Sequence, residues 1–281
     1  MLNVLISGAA ARLAAAGVDE PRREASLLLE YAIRRDRTFV IAHSEYEPTA
    51  DELQTFYDFV RRRSGHEPFH YIVGRKEFYG LNFVVRPGVL IPRPETEMLV
   101  TAAINELQQH VSPAFCELGV GSGCISSAIL FNVRAARCVG LEVSPDALAV
   151  ARENADLLGV AERCDLRISD RFAALDDEKF DLIVSNPPYV AAADIPTLQP
   201  EVREHEPHTA LTDGGDGLSF IRYLAEQAYQ YLRPGGLLLI EFGVGQSDAV
   251  ESIFNDSGWR LQIEADMRHI PRMAAARRAA G

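Results

Sequence analysis

From Pro113 onward, short apolar runs alternate with amphipathic stretches of helical length, and this alternation limits the possible folds more than any other feature of the chain. The runs predict strands over Ala114–Leu118, Cys138–Val143, Asp165–Ser169, Asp181–Ser185, Gly236–Phe242 and Trp259–Ala265. Helices are predicted between them, over Cys124–Val133, Pro145–Leu158, Gly217–Leu232 and Gln246–Ser257. Strands joined through helices return in the same direction, so the expected architecture is α/β, a parallel doubly wound sheet with helices on both faces. The alanine-rich Ile270–Ala276, within the weak end Met273–Ala280, is a fainter candidate for a final edge strand.

The first third reads differently. Val4–Ala16, Glu20–Arg34 and Ala50–Arg63 carry apolar residues at three- and four-residue spacing, with Asp19 and Thr49 as expected N-caps. Such a bundle is too small to house an enzyme site and is expected to serve recognition or support. Arg61-Arg62-Arg63 is read as a solvated helix face. Tyr71–Gly74 and Glu77–Phe83 are predicted as a hairpin, followed by a helix Met98–His110 with Pro94 as the stop before it and Thr96 as its cap. The expected division is a helical recognition domain over 1–66, a hairpin linker over 67–88 and a catalytic domain over 89–281.

Composition removes several classes of function. A net charge of −12 over 281 residues argues against a protein that grips nucleic-acid backbone. No apolar run reaches membrane-spanning length, and Met1–Ser7 lacks the basic flank of a secretory signal. Cys116, Cys124, Cys138 and Cys164 have no close metal-clip spacing. They read as buried small hydrophobes in a reducing, cytoplasmic compartment, with no metal expected.

The chemistry concentrates at predicted strand ends. Asn186-Pro187-Pro188-Tyr189 follows the continuous apolar strand Phe180–Ser185. The two prolines donate no N–H and hold φ near −65°, so neither strand nor helix continues. The Asn186 amide and neighbouring carbonyls are thereby offered as acceptors that can hold a planar NH2 group, with Tyr189 as a flat wall. An ordinary Pro-Pro turn is the competing reading of the tetrapeptide alone.

Three further features fall at the ends of preceding strands, where open sheets of this class bind ligands. These are Glu117-Leu118-Gly119-Val120-Gly121-Ser122-Gly123, Glu142 and Asp170. A glycine loop by itself also suits a dinucleotide. Glu142 would take ribose hydroxyls in either case, and Asp170 an adenine amino group. The acidic set and the proline-framed amide favour a sulfonium nucleoside, S-adenosylmethionine, over a pyrophosphate.

Together, Glu117–Gly123, Glu142 and Asn186–Tyr189 resemble the seven-stranded S-adenosylmethionine-dependent methyltransferases that modify planar amino nitrogens. Gly65–Pro68, Glu77–Leu81, Leu90–Glu97, and Glu206-Pro207 with Ala210-Leu211 and Gly214–Leu218 narrow this to a resemblance to the peptide chain release factor N5-glutamine methyltransferases. The resemblance spans nearly the whole chain. It implies methylation of the glutamine in the Gly-Gly-Gln loop of release factors by a soluble monomer. A ribosomal-protein glutamine and adenine N6 of DNA are the alternatives. It further implies Gly119, Gly121 and Gly123 at the methionine part of the cofactor, Glu142 at the ribose, and Asp170 with Arg171 at the adenine. Asn186 with Pro187 and Pro188 would hold the substrate amide beside Tyr189, and Phe78 with the Arg93–Glu97 turn would close over the cofactor. The chain departs from the family at Glu117 and Glu142, where Asp is common, and at Arg171, where an aromatic is frequent.

Overall fold

The helical period of the first third is realised as helices Leu2–Ala15, Pro21–Ala32, Arg37–Ala42, Ala50–Ser64 and Phe69–Val73. The computed structural model describes residues 1–255 and 258–278. They separate into one unit of residues 1–75 with 199–205, and a second of 76–198 with 206–281.

In the first unit, Leu13, Leu28, Leu29 and Phe56 fill a core closed to solvent. Thr49 caps Ala50–Ser64 as expected, in a reciprocal capping box with Glu52. Asp19 does not cap. The N-cap is Glu20, in a left-handed conformation, and Pro21 at the first helical position removes a donor that would otherwise need a partner. Tyr71-Ile72-Val73 is helical rather than extended, because Pro68 starts a turn there, Tyr71 and Ile72 are buried, and Gly74 ends the helix at φ 73°. Arg63 also departs from expectation. It is 6% exposed and bridges Glu24 at 2.8 Å and Glu201, on the short helix Pro200–His205, at 2.6 Å.

A hairpin, β1 (Arg75–Phe78) and β2 (Leu81–Val84), turned at Tyr79-Gly80, leads into the second unit from its first residue, Lys76. The main sheet contains β3 (Ala114–Leu118), β4 (Arg137–Glu142), β5 (Cys164–Ile168), β6 (Phe180–Ser185), β7 (Leu232–Glu241), β8 (Trp259–Ala265) and β9 (Pro271–Arg278). Its order is β5-β4-β3-β6-β7-β9-β8. The first five are mutually parallel, and β9 runs antiparallel to both its neighbours, so the sheet is mixed. The weak alanine strand is therefore interior, and β8 is the edge. Small residues permit this, since Ala274 and Ala276 are wholly buried between flanking strands. The helix expected over Gln246–Ser257 is observed as Ser247–Phe254; residues 256 and 257, like 279 and 280 of the alanine-rich end, lie outside the described residues.

Side-chain alternation feeds two cores. Leu182 and Val184 of β6 pack with Leu99, Ala103 and Ile129 on one face, and Ile183 with Ile221 and Leu224 on the other; Phe180 joins the second core across a register shift before Leu182. Strand order reverses between β4 and β6 on either side of β3, which opens a crevice beyond the carboxyl ends of these strands.

Candidate active site

One cavity sits at that crevice and brings together features that are far apart in sequence. It is lined by Glu117, Gly119, Gly121, Glu142, Asp170, Arg171, Asn186, Pro187 and Pro188, with Thr96, Arg93 and Phe220. The parallel register Leu118↔Ser185 places Gly119 and Asn186 side by side at the ends of β3 and β6.

The glycine loop is built for close approach. Gly119, Gly121 and Gly123 all adopt positive φ, at 78°, 56° and 75°. At Gly123 a Cβ would lie 3.0 Å from that of Ala151, so the loop and helix Pro145–Leu157 meet through bare backbone. Asn154 of that helix is wholly buried and ties the loop to the hairpin. It donates to the carbonyls of Ser122 at 2.9 Å and Val84 at 3.0 Å, and accepts from the Val84 N–H at 2.7 Å. Gly123 itself is outside the cavity lining, and its contribution is to shape the loop.

The acids differ in their surroundings. Glu142 accepts the N–H groups of Gly121 at 2.8 Å and Ser144 at 2.9 Å, which fixes its carboxylate across the loop while leaving lone pairs for a diol. Glu117 is wholly buried. One oxygen accepts the Ser126 N–H at 2.9 Å and the other, Oε1, has no partner among the described residues. Burial pushes its carboxyl up to about 8, against the opposing hydrogen bond from Ser126. Asp170 and Arg171 follow β5. Arg171 holds φ at 54° and stacks its guanidinium 4.5 Å from the Tyr223 ring centre and 5.7 Å from that of Phe220. Phe220, from the helix Ser219–Tyr231, brings an aromatic ring to the lining beside Arg171.

The Asn-Pro-Pro-Tyr segment is anchored from several sides. Asn186 Nδ2 donates to Thr96 Oγ1 at 3.1 Å. The Tyr189 hydroxyl donates to Glu241 Oε1 at 3.1 Å, and the Tyr189 carbonyl accepts from Gln246 Nε2 at 3.0 Å. Tyr189 therefore braces the segment and does not line the cavity. Asp213 gathers the N–H groups of Gly215, Gly217 and Ser219, and these bonds outweigh burial to hold its carboxyl down at about 2. The loop so shaped presses Gly217 against Tyr189. Glu206 accepts from Ile91 N–H at 3.1 Å and Arg93 Nη2 at 2.5 Å, seating the Leu90–Arg93 stretch along the cavity.

Phe78 is not at the site. It is 1% exposed, edge-on to Phe83 in the core beside Leu99, because the hairpin turns its apolar face into the sheet. Thr96 forms no side-chain cap, since its hydroxyl is engaged by Asn186. Thr96 was legible as a helix cap and as part of the Arg93–Glu97 turn expected over the cofactor, whereas Phe220, which nothing local marks, was missed. His205 and His208 lie outside the lining.

Residues 5–74 match the PrmC N-terminal domain family and residues 96–216 the methyltransferase small domain family. The chain is 43% identical over 247 residues to a release factor glutamine methyltransferase of Caulobacter vibrioides, covering 88% of this chain and 86% of that protein. A second protein of that name, from Koribacter versatilis, is 37% identical over 99% of this chain and 98% of its own length. Among solved structures, a methyltransferase from Pyrococcus furiosus aligns with TM-score 0.54 at 16% identity, over 73% of this chain and 92% of that one, a likeness of fold.

Proposed function

Because the chain belongs to the release factor glutamine methyltransferase family, we propose that this cavity transfers a methyl group from S-adenosylmethionine to the glutamine side-chain nitrogen in the Gly-Gly-Gln loop of peptide chain release factors. The observation that carries the reading is the Asn186 amide. Its nitrogen is bound to Thr96, which leaves the oxygen as an acceptor in the cavity that the glycine loop also lines.

The lining fits the cofactor. The carboxylates Glu142 and Asp170 suit a cationic nucleoside, and the unpartnered buried oxygen of Glu117 offers a hydrogen-bonding group to its amino-acid tail. Glu142 would hold the ribose, Gly119 and Gly121 the tail, and Asp170 with Arg171 and Phe220 the adenine. When bound, S-adenosylmethionine supplies a methyl group activated by a sulfonium centre and leaves as S-adenosylhomocysteine.

A glutamine nitrogen is a poor nucleophile because its lone pair is shared with the carbonyl. Asn186 Oδ1 and the Pro187 carbonyl would accept its two hydrogens, with Pro188 walling the amide. They aim the nitrogen and stabilise the positive charge that grows on it, as an oxyanion hole does with opposite sign. Alignment of this kind supplies several kcal/mol without a general base. The surplus proton then passes from nitrogen to water.

The four strand-end features that carry the reading all line the cavity from one chain, which supports a monomer as the working species. No described helix is long and apolar enough to cross a membrane, and a release-factor substrate favours a reaction in the cytoplasm. We assign partner recognition to the N-terminal helices.

The test is label transfer from methyl-labelled cofactor in separate reactions with release factor, ribosomal proteins and DNA, with the modified residue mapped by mass spectrometry. Label on a release-factor glutamine is expected. Label confined to ribosomal protein or DNA would overturn the reading. Asn186→Ala is expected to abolish turnover with only a modest loss of cofactor affinity, whereas Glu142→Ala weakens cofactor binding first.

A further inference from the structure

We infer that Thr96 is the positioning residue that decides which end of the Asn186 amide faces the cavity, with the buried Glu241 carboxyl orienting its hydroxyl. The inference rests on the glutamine reading above and specifies how its central acceptor is held. A carboxamide has nearly the same shape in either of two orientations related by a half-turn, so packing alone does not choose between them. Chemically they are opposites. With Oδ1 forward, Asn186 accepts from a substrate NH2. With Nδ2 forward it sets donor against donor, and the same pocket would instead suit a carboxylate.

Thr96 supplies the choice. It is 2% exposed, so no bulk water competes at its hydroxyl, and Asn186 Nδ2 lies 3.1 Å from its Oγ1. A hydroxyl can both donate and accept, and the group behind it settles which it does here. The register Ser185↔Ile240 brings Glu241, the last residue of β7, next to the Asn186 segment. Glu241 is 1% exposed. Burial raises its carboxyl, and the Thr96 side chain, then the Tyr189 hydroxyl and the charge of Arg272, act in the opposite direction. Tyr189 bonds Oε1, while Oε2 has no hydrogen-bond partner among the described residues and is left as an acceptor for the Thr96 hydroxyl. A Thr96 proton turned toward that carboxyl presents lone pairs to Asn186. Asn186 then gives Thr96 its nitrogen and the cavity its oxygen. The same carboxyl orders both halves of the motif, Tyr189 directly and Asn186 through Thr96.

The test compares wild type, Thr96→Val, Thr96→Ala and Thr96→Ser in three measurements. These are kcat on release factor, cofactor Kd, and the relative affinity, with S-adenosylhomocysteine present, of two release-factor loop peptides carrying Gln or Glu at the target position. Removing the hydroxyl frees the amide to turn. Thr96→Val is expected to lower kcat roughly tenfold to a hundredfold and to shift peptide preference toward Glu by roughly tenfold, with cofactor Kd unchanged. Thr96→Ser, which keeps Oγ, is expected to retain both the rate and the Gln preference. Thr96→Ala is read in the same way should the valine variant fold poorly. An unchanged Gln-to-Glu ratio overturns the inference even if kcat falls, because a merely structural residue would lower the rate without reversing the polarity of the pocket. A wild-type enzyme that does not methylate glutamine overturns the parent reading, and an active wild type with an unaffected valine variant overturns this one alone.

Discussion

The Tyr189 hydroxyl donates to Glu241 Oε1 at 3.1 Å, and it is the only hydrogen bond formed by that carboxyl among the described residues, at a site 1% exposed. An aromatic at the end of Asn-Pro-Pro-Tyr would be expected to wall a substrate, yet it is spent on a buried acid. Tyr189→Phe removes the donor and leaves the buried carboxyl without a hydrogen bond. The expected result is a loss of about 1–3 kcal/mol in urea unfolding, with cofactor affinity little changed. A variant as stable as the wild type would show that the bond contributes nothing.

Glu117 makes stability depend on pH in a stated direction. Its folded pKa, raised by burial to about 8, lies above the ordinary carboxylate value of 4.5, so the folded chain holds a proton that the unfolded chain releases. Its contribution is therefore fully present below pH 4.5 and is lost as pH rises toward about 8, by at most about 1.4 kcal/mol per pH unit. Glu117→Gln cannot ionise. Its thermal midpoint is expected to fall less than that of the wild type between pH 5.5 and 8.5, and parallel profiles would refute the assignment.

Gly217 is required by the approach of two loops. A Cβ there would lie 2.2 Å from the Tyr189 carbonyl oxygen, and its φ is 76°. Gly217→Ala must displace the Asn-Pro-Pro-Tyr backbone. Turnover is expected to fall by at least about tenfold, since small misplacements of reacting groups carry penalties of that order. The cofactor side, built on Gly119 and Glu142, should bind nearly as before, as read by calorimetry.

Arg63 joins Glu24 and Glu201 within the first unit, although Glu201 lies far along the chain. Arg63→Ala leaves two carboxylates facing each other, and a loss of about 1–3 kcal/mol is expected after allowing for their partial exposure. Deleting residues up to about Gly65 would also remove this partner from the helix Pro200–His205. A truncation test of partner recognition should therefore carry Glu201→Gln as its control. If the bundle reads the release factor, the truncated protein shows a raised KM for protein substrate and nearly unchanged cofactor affinity.

The alternation after Pro113 was enough to specify the layered sheet, because strand and helix periods are local properties and parallel strands allow few connections. All four strand-end features, at Glu117–Gly121, Glu142, Asp170 and Asn186, were legible and line one cavity for the same reason: once the sheet is parallel, its carboxyl ends must converge. Two expectations failed. Phe78, which the family resemblance placed over the cofactor, is core; Arg63, read from its basic run as solvated, is buried.

The sequence by itself determined which backbone stretches become strands and helices, and that glycines and prolines punctuate their ends, since these depend on steric limits and side-chain spacing within a few residues. Only the tertiary structure decided which atom of Asn186 is available for chemistry. Thr96 stands 90 positions away and Glu241 reaches the motif through an adjacent strand, and the orientation of a hydrogen bond is set by the partners that folding brings to it.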